Sequence, residues 1–132
     1  MRLRGVAAAV ATIIGIAAVL HGVGASPVIA DSSLVPAGGV LHVNVPAAIG
    51  GKTVIGQLTV DQVTQRGFIT AYPCADGLPR TTNGTISRSD LNYDGNIRPV
   101  QSNRLIVEAD DNGDVCFYTS RDTALIIDIN GV

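Results

Sequence analysis

The sequence has little of what a highly charged or chemically active protein contains. Its 132 residues include no Trp, one Met, two Cys and two His, and aromatic residues make up only 4%. Charged residues account for 15%, with a formal net charge of −2. These values exclude a collagen, a coiled coil, a disordered acidic tail and a strongly basic nucleic-acid-binding protein. A small globular protein is therefore expected.

The first thirty residues have the pattern of a secretory signal peptide. Arg2 and Arg4 precede an uncharged apolar run over residues 5–20, which a more polar stretch with small residues follows. The run is shorter than the roughly 20 residues that span a hydrocarbon core, which favours cleavage over retention as an anchor. Cleavage is expected after Ala30, with cleavage after Ala25 as the alternative. Membrane contact is expected only through this segment, if it is retained.

Residues 31–132 are expected to form one secreted domain. Without residues 1–30 the chain loses two arginines and no acidic residue, so seven basic residues face eleven acidic ones and the net charge is −4. This charge disfavours nucleic acid and anionic lipid as partners. About a hundred residues are enough for one domain with its own hydrophobic core.

Both cysteines lie in this expected mature domain. Because export places them in an oxidising compartment, Cys74 and Cys116 are predicted to form a disulfide. A reactive or metal-binding thiol pair is the alternative, but it needs further ligands. Only His42 remains as a histidine after residue 30, which leaves a zinc site almost nothing to use.

The hydrophobic pattern predicts an all-β fold. Short, mostly alternating segments separated by turn residues are expected to be strands at residues 40–45, 54–63, 68–73, 90–93, 104–108, 115–119 and 124–129. No apolar 3.6-residue period persists without Gly or Pro, so helices should be short or absent. Seven to nine strands predict an antiparallel β-sandwich, Ig-like or jelly-roll-like, or a small barrel. Residues 75–88 form the longest polar loop.

Two details of the strand pattern give further predictions. Residues 109–114 contain Asn-Gly, which favours a tight hairpin between the flanking strands. Phe117 and Tyr118 are adjacent in one strand, so one must face the core and the other must face outward. Phe68 and Tyr72 share a strand face and are predicted to be core residues.

Five ordered segments resemble a β-rich module of secreted actinobacterial proteins. They are PAGGVL at residues 36–41, GFITAYPC at 67–74, DLNY at 90–93, VC at 115–116 and DING at 128–131. The module's pattern is PAGGV, GFxTxYPC, SxLNxxxG, a VC-aromatic strand and a closing DxxGY. The resemblance covers residues 34–132 and implies secretion, a disulfide and a β fold, but no assigned activity. Val132 replaces the closing aromatic residue, and residues 81–89 form a lengthened loop.

The sequence lacks an evident catalytic set. It has no Gly-x-Ser-x-Gly motif, and His42 lies in an alternating strand that predicts an ordinary exposed or half-buried side chain. Glu108 is the only Glu, and most Asp residues lie in turn-like contexts that explain them. The chain is therefore predicted not to be an enzyme. The least favoured alternative is a hydrolase that uses Asp90 or Asp128.

Two clusters of oxygen ligands make calcium the best cofactor hypothesis, although no cofactor is the prediction. Both have the hard oxygen character that Ca²⁺ prefers, but neither matches the twelve-residue calcium loop. The first cluster, a weak candidate metal site, is Asp110, Asp111, Asn112 and Asp114, and the second is Asp90, Asn92, Asp94 and Asn96. A calcium-stabilised binding domain is thus an alternative function.

The preferred function is a secreted, non-catalytic interaction or structural module. It would be extracellular or associated with the cell wall, with a cell-wall glycan or a surface protein as partner. A carbohydrate platform of stacked rings would require Trp, which the chain lacks.

Overall fold

The computed structural model describes residues 29–132, which form two four-stranded antiparallel sheets. The first sheet has the order β1-β8-β3-β6 and the second β2-β7-β4-β5. Two 3₁₀ turns, Pro46–Ala48 and Cys74–Asp76, are the only helical segments in this part of the chain, so the all-β sandwich with short or absent helices is confirmed. The strands are β1 (Ile29–Val35), β2 (Val40–Asn44), β3 (Thr53–Asp61), β4 (Arg66–Pro73), β5 (Leu91–Asp94), β6 (Gln101–Glu108), β7 (Asp114–Thr119) and β8 (Thr123–Gly131).

The strand pairing identifies the sandwich as a jelly roll. β1 pairs with β8, β2 with β7, β3 with β6 and β4 with β5, all antiparallel. This is the pairing of one long hairpin rolled up so that its successive strand pairs alternate between two sheets. The β3–β8 and β4–β7 pairs complete the sheets. Of the two sandwich types that the sequence left open, the structure has the jelly roll.

The predicted hairpin at residues 109–114 is wrong, although a tight turn is present. β6 before the turn belongs to the first sheet and β7 after it to the second, so the turn carries the chain between sheets. Gly113 has a φ of 84°, and its N–H donates to the Asp110 carbonyl at 2.9 Å. A Cβ at Gly113 would also collide with the Val45 carbonyl oxygen. The Asn-Gly signal thus predicts the turn, but the rolled topology decides which strands pair.

The hydrophobic core lies between the two sheets. Phe117 is fully buried while Tyr118 is partly exposed, which confirms their predicted opposite orientations. Full burial of one such large apolar side chain contributes about 1.5–3 kcal/mol. The largest fully buried side chains come from both sheets and include Leu58, Leu105, Leu125, Ile127 and Ile129 from the first and Ile69, Val115 and Phe117 from the second.

The prediction that Phe68 and Tyr72 are core residues is wrong for Phe68, which is partly exposed on the outer face of the second sheet. Tyr72 is buried as predicted, at 6% exposure, although it is not part of the cluster packed between the sheets. The β4 residues in the core cluster are Ile69 and Ala71, and Ala71 pairs directly with Phe117 of β7. The small alanine accommodates the large phenylalanine on the inner face. Because β4 is apolar on both faces, its sequence pattern could not show which face is inside.

β1 was not predicted, because its residues were divided between the expected signal peptide and the start of the mature domain. Ile29 and Ala30 pair with Ile129 and Asp128 of β8, so the strand begins before the expected cleavage point after Ala30. Residues 1–28, which make up most of the predicted signal peptide, lie outside the described residues. Within residues 29–132 there is no helix of the length and apolarity that crossing a membrane requires.

The predicted disulfide is present and joins Cys74, in the turn after β4, to Cys116 of β7. The two Cα atoms are 5.0 Å apart, and the residues are 42 positions apart in sequence. The disulfide therefore fixes the start of the long loop that leads from β4 to β5. In the chain-entropy model, closing a loop of this length stabilises the fold by about 4 kcal/mol.

Candidate functional site

Asp90, a residue of the second calcium candidate, completes the exposed edge of β4. β5 begins at Leu91 and pairs only with the first part of β4, so Ala71 has no strand partner on that side. Asp90 Oδ2 accepts a hydrogen bond from the Ala71 N–H at 2.7 Å, and Arg88 Nη2 donates to the Ala71 carbonyl. The two side chains replace the ladder bonds that a longer β5 would make, which is a structural role.

The remaining residues of that second set have local partners as well. Asp94 Oδ1 accepts from the Asn96 N–H at 3.0 Å, and Asp94 Oδ2 lies 3.1 Å from Arg66 Nη2. The Asn96 N–H, followed by the Arg66 guanidinium, holds the pKa of the Asp94 carboxyl below its ordinary value. Asn92 Oδ1 accepts from the Ser89 hydroxyl at 3.1 Å.

Asp110, in the first calcium candidate, organises the turn that contains it. Its Oδ1 accepts from the N–H groups of Asn112 and Asp114, both at 2.9 Å, and its Oδ2 accepts from the Ala75 N–H at 3.1 Å. The Asp114 N–H, assisted by the N–H groups of Asn112 and Ala75, lowers the pKa of the Asp110 carboxyl. Both carboxylate oxygens are therefore engaged by backbone donors rather than directed toward a cation.

The other members of the first set point elsewhere. Asp111 is exposed, and Asp114 Oδ1 accepts from Asn44 Nδ2 at 2.6 Å. Asp114 Oδ2 faces His42 Nε2 at 3.2 Å. The structure thus brings these residues into one turn without converging their carboxylate oxygens on a common point.

The two aspartates of the hydrolase alternative lie on different sheets. Asp90 closes the edge of β4 in the second sheet. Asp128 is an exposed residue of β8, a central strand of the first sheet, and pairs with Gln57 of β3. A glycosidase-type mechanism requires two carboxyl groups that flank one bond. The positions of these two residues do not provide such a pair.

A groove crosses one end of the second sheet, where several strands begin or end. It has a volume of about 690 Å³ and is open to solvent. We call it the outer-face groove. It is lined by Arg66, Gly67, Phe68, Asn92, Tyr93, Asp94, Gln101, Ser120 and Arg121.

Phe68 provides the aromatic surface of the outer-face groove and is held in place from β7 and the residue after it. Its N–H donates to Ser120 Oγ at 2.9 Å, and its carbonyl accepts from the Ser120 N–H at 3.1 Å. Its ring centroid lies 6.0 Å from that of Tyr118, with the rings tilted by 43°. The ring is thus pre-organised on a rigid strand, and it remains partly exposed.

Two arginines give the outer-face groove its charge. Arg66 is 82% exposed and pairs with Asp94, whereas Arg121 is exposed and forms no ion pair within residues 29–132. Together with Asn92 and Asp94, they offer hydrogen-bond donors and acceptors around an aromatic face. Such a combination suits a ligand that has both polar groups and an apolar surface. Sequence reasoning did not single out Arg66, Ser120 or Arg121, since no local motif links residues from separate strand ends.

A second cluster surrounds the disulfide. His42 and Cys116 are direct partners in the β2–β7 pair, and the His42 side chain is 58% exposed, as its place in an alternating strand predicted. The ligand atoms of His42, Cys74 and Cys116 all lie within 4.8 Å of one another. In the part of the chain that the structure describes, no other three His, Cys, Asp or Glu residues converge in this way. Tyr72 flanks Cys116 on the other side, and burial raises the pKa of its hydroxyl.

Comparison of the chain with protein-family models, curated proteins and solved structures gave no match.

Proposed function

We propose that this protein is a secreted, non-catalytic interaction module that binds a cell-wall glycan through the outer-face groove. Secretion is supported by the basic and apolar pattern of the first thirty residues and by the disulfide between Cys74 and Cys116. The resemblance to a β-rich module of secreted actinobacterial proteins agrees with this location.

The observation that carries the proposal is the composition of the outer-face groove. A sugar ring presents an apolar face and a rim of hydroxyl groups. Phe68 offers a ring for the apolar face, while Asn92, Asp94 and Arg121 offer donors and acceptors for the hydroxyls. Arg121 additionally favours a glycan that carries carboxylate or phosphate groups. With one partly exposed ring and no Trp, each site should bind weakly, which suits a repetitive polymer that several modules can occupy together.

The proposal does not include catalysis. Asp94, the carboxylate that lines the groove, pairs with Arg66 and caps the turn at Asn96, while Asp90 completes the edge of β4. Neither carboxylate is paired with a second one across the groove.

Retention on insoluble polysaccharides tests the proposal. Purified protein is incubated with a panel of neutral and acidic cell-wall glycans, and bound protein is measured by depletion. We expect retention on an acidic glycan, and we expect Phe68→Ala and Arg121→Ala each to weaken it by about tenfold, the equivalent of one charge-assisted contact or one stacked ring. Arg104→Ala is the matched control, because Arg104 is an exposed arginine of β6 in the first sheet. Absence of retention on every glycan would disprove the proposed binding, and turnover of any of them would disprove the non-catalytic role.

A surface protein is the second candidate partner, favoured by the outer face of the first sheet. Ile106 of β6 is 58% exposed there and pairs with Ile55 of β3, and Leu34, on the opposite edge strand β1, is 76% exposed. Exposed apolar side chains on a sheet with open edge strands are typical of a protein-binding surface. Loss of binding to a surface protein in Leu34→Ser or Ile106→Ser, with glycan retention unchanged, would support this second candidate.

A further inference from the structure

The disulfide has a histidine beside it, so the cluster combines two sulfur atoms with an imidazole nitrogen. His42 lies directly across from Cys116 in the β2–β7 pair, and Cys74 joins Cys116 from the turn after β4. One nitrogen and two sulfurs therefore meet within 4.8 Å on the outer face of the second sheet. Two cysteines and one histidine are a ligand set that binds Zn²⁺ in proteins.

Asp114 fixes the orientation of the imidazole. Its Oδ2 lies 3.2 Å from His42 Nε2, and its Oδ1 accepts from Asn44 Nδ2 at 2.6 Å. Because Nε2 faces the carboxylate, Nδ1 is the nitrogen through which we would expect His42 to coordinate a metal. A histidine ligand of zinc characteristically donates its second N–H to a carboxylate in just this manner.

We propose that reduction of the Cys74–Cys116 disulfide converts this cluster into a zinc site with His42, Cys74 and Cys116 as ligands. The inference is independent of the glycan-binding proposal. A dithiol reductant supplies two electrons and two protons and is itself oxidised to a disulfide; the Cys74–Cys116 sulfur–sulfur bond breaks, and each sulfur takes up one proton. Zn²⁺ then displaces both thiol protons, so binding releases two protons to the solvent. Three protein ligands leave the fourth coordination position for water.

The local structure allows the required movement. Zinc bonds to sulfur of about 2.3 Å in a tetrahedron place the two sulfurs about 3.8 Å apart. Cys74 lies in a 3₁₀ turn rather than in a strand ladder, so it can adjust while Cys116 stays fixed in β7. His42 is exposed and Cys74 is partly exposed, which gives reductant and metal a path from solvent.

Cobalt and zinc titrations of the reduced protein test the proposal. A phosphine reductant serves best, because it becomes the phosphine oxide with oxygen from water and leaves two protein thiols. Under anaerobic conditions, Co²⁺ should produce a thiolate-to-cobalt charge-transfer band and the visible spectrum of a tetrahedral site. One equivalent of Zn²⁺ should abolish both signals. The oxidised protein should give neither.

The zinc affinities of variants distinguish a site that uses His42 from non-specific binding of zinc by the two thiols alone. We expect His42→Ala to weaken zinc binding at least about tenfold, and Asp114→Asn to weaken it by about 10–100-fold, as measured for second partners of metal ligands. Asp111→Asn is the matched control, since Asp111 is an exposed carboxylate in the same turn. Equal zinc affinity in the wild type and His42→Ala would overturn the proposal. So would a reduced chain that loses its β-sheet circular dichroism and does not regain it on addition of zinc.

Discussion

The Asp110 carboxylate accepts a hydrogen bond from the Ala75 N–H at 3.1 Å and thereby ties the β6–β7 turn to the turn that follows β4. Cys74, the residue before Ala75, forms the disulfide to β7. A covalent bond and a charge-assisted hydrogen bond thus hold the same two segments together. The pair explains why Asp110 is buried although it is charged.

We expect the stability of the protein to fall in acid because of Asp110. Its pKa in the folded state lies below its ordinary value of 3.8, since three backbone N–H groups stabilise the charged form. The ionised Asp110 carboxylate therefore stabilises the folded state fully at pH values above its ordinary pKa, and this stabilisation disappears as the pH falls through the lowered pKa. Urea unfolding at pH 7 and at successive values below pH 4 measures it. Asp110→Asn should be less stable at pH 7 and should lose less on acidification, whereas an unchanged acid profile would contradict this assignment.

Calcium should not stabilise the protein. Both carboxylate oxygens of Asp110 accept hydrogen bonds from backbone N–H groups. The two carboxylate oxygens of Asp114 contact the side chains of Asn44 and His42. Thermal unfolding in the presence of calcium and of a chelator should give the same melting temperature. A binding ion at a hundred times its dissociation constant would add about 2.7 kcal/mol, an increase that such melts resolve easily and that would restore the calcium-stabilised alternative.

The two aspartates of the hydrolase alternative should differ sharply in their effect on stability. Asp90→Ala removes the acceptor for the Ala71 N–H, and we expect a loss of about 1.5–3 kcal/mol in the free energy of unfolding. Asp128→Ala changes an exposed side chain and should stay within about 0.5 kcal/mol of the wild type. Denaturant titration of both variants checks this. Equal effects would show that Asp90 does not support the edge of β4.

Removal of the disulfide should destabilise the fold without changing its topology. Cys74→Ser with Cys116→Ser opens a loop of 42 positions, and we expect a cost of about 2–4 kcal/mol. Alkylation followed by intact-mass measurement should find no reactive thiol in the native protein and two after reduction. Native protein with two free thiols would show that the disulfide does not form in solution.

The pairing of β1 with β8 bears on where the predicted signal peptide would be cleaved. Cleavage after Ala30 would remove Ile29 and Ala30 from β1, together with their pairing to β8. Cleavage after Ala25 leaves the strand complete, so we expect Ser26 as the mature N-terminus. Mass measurement of the exported protein identifies it. A variant that begins at Asp31 should unfold at lower denaturant concentration than one that begins at Ser26, and equal midpoints would favour the cut after Ala30.

Much of the fold could be predicted because strand alternation is a local property. Val43 and Val45 face the core as their alternation indicated, and seven of the eight strands within residues 29–132 lie where the sequence placed them. β1 was not predicted, because Asp31, Ser32 and Ser33 interrupt any alternation of apolar and polar residues. The direction of the turn at residues 109–114 depends on which distant strands pair, and no local signal contains that information.

The sites were harder to predict because they, too, depend on which distant strands pair. The outer-face groove takes Phe68 from β4, Asn92 from β5 and Arg121 from the turn before β8, residues that only the rolled topology brings together. His42 and Cys116 are 74 positions apart and meet through strand register alone. By contrast, the turn role that the sequence indicated for most aspartates is present at Asp94 and Asp110, since capping is local.

The pairing of β1 with β8 also determines how the module is presented. Ile29 lies beside Ile129, so the chain enters the sandwich and reaches the end of β8 at the same pole. Ser120 and Arg121 come just before β8, at the opposite pole, about 25–30 Å away along a nine-residue strand. A support attached beside Ile29 or at the end of β8 would therefore lie at the pole opposite to the outer-face groove, and the groove would remain accessible.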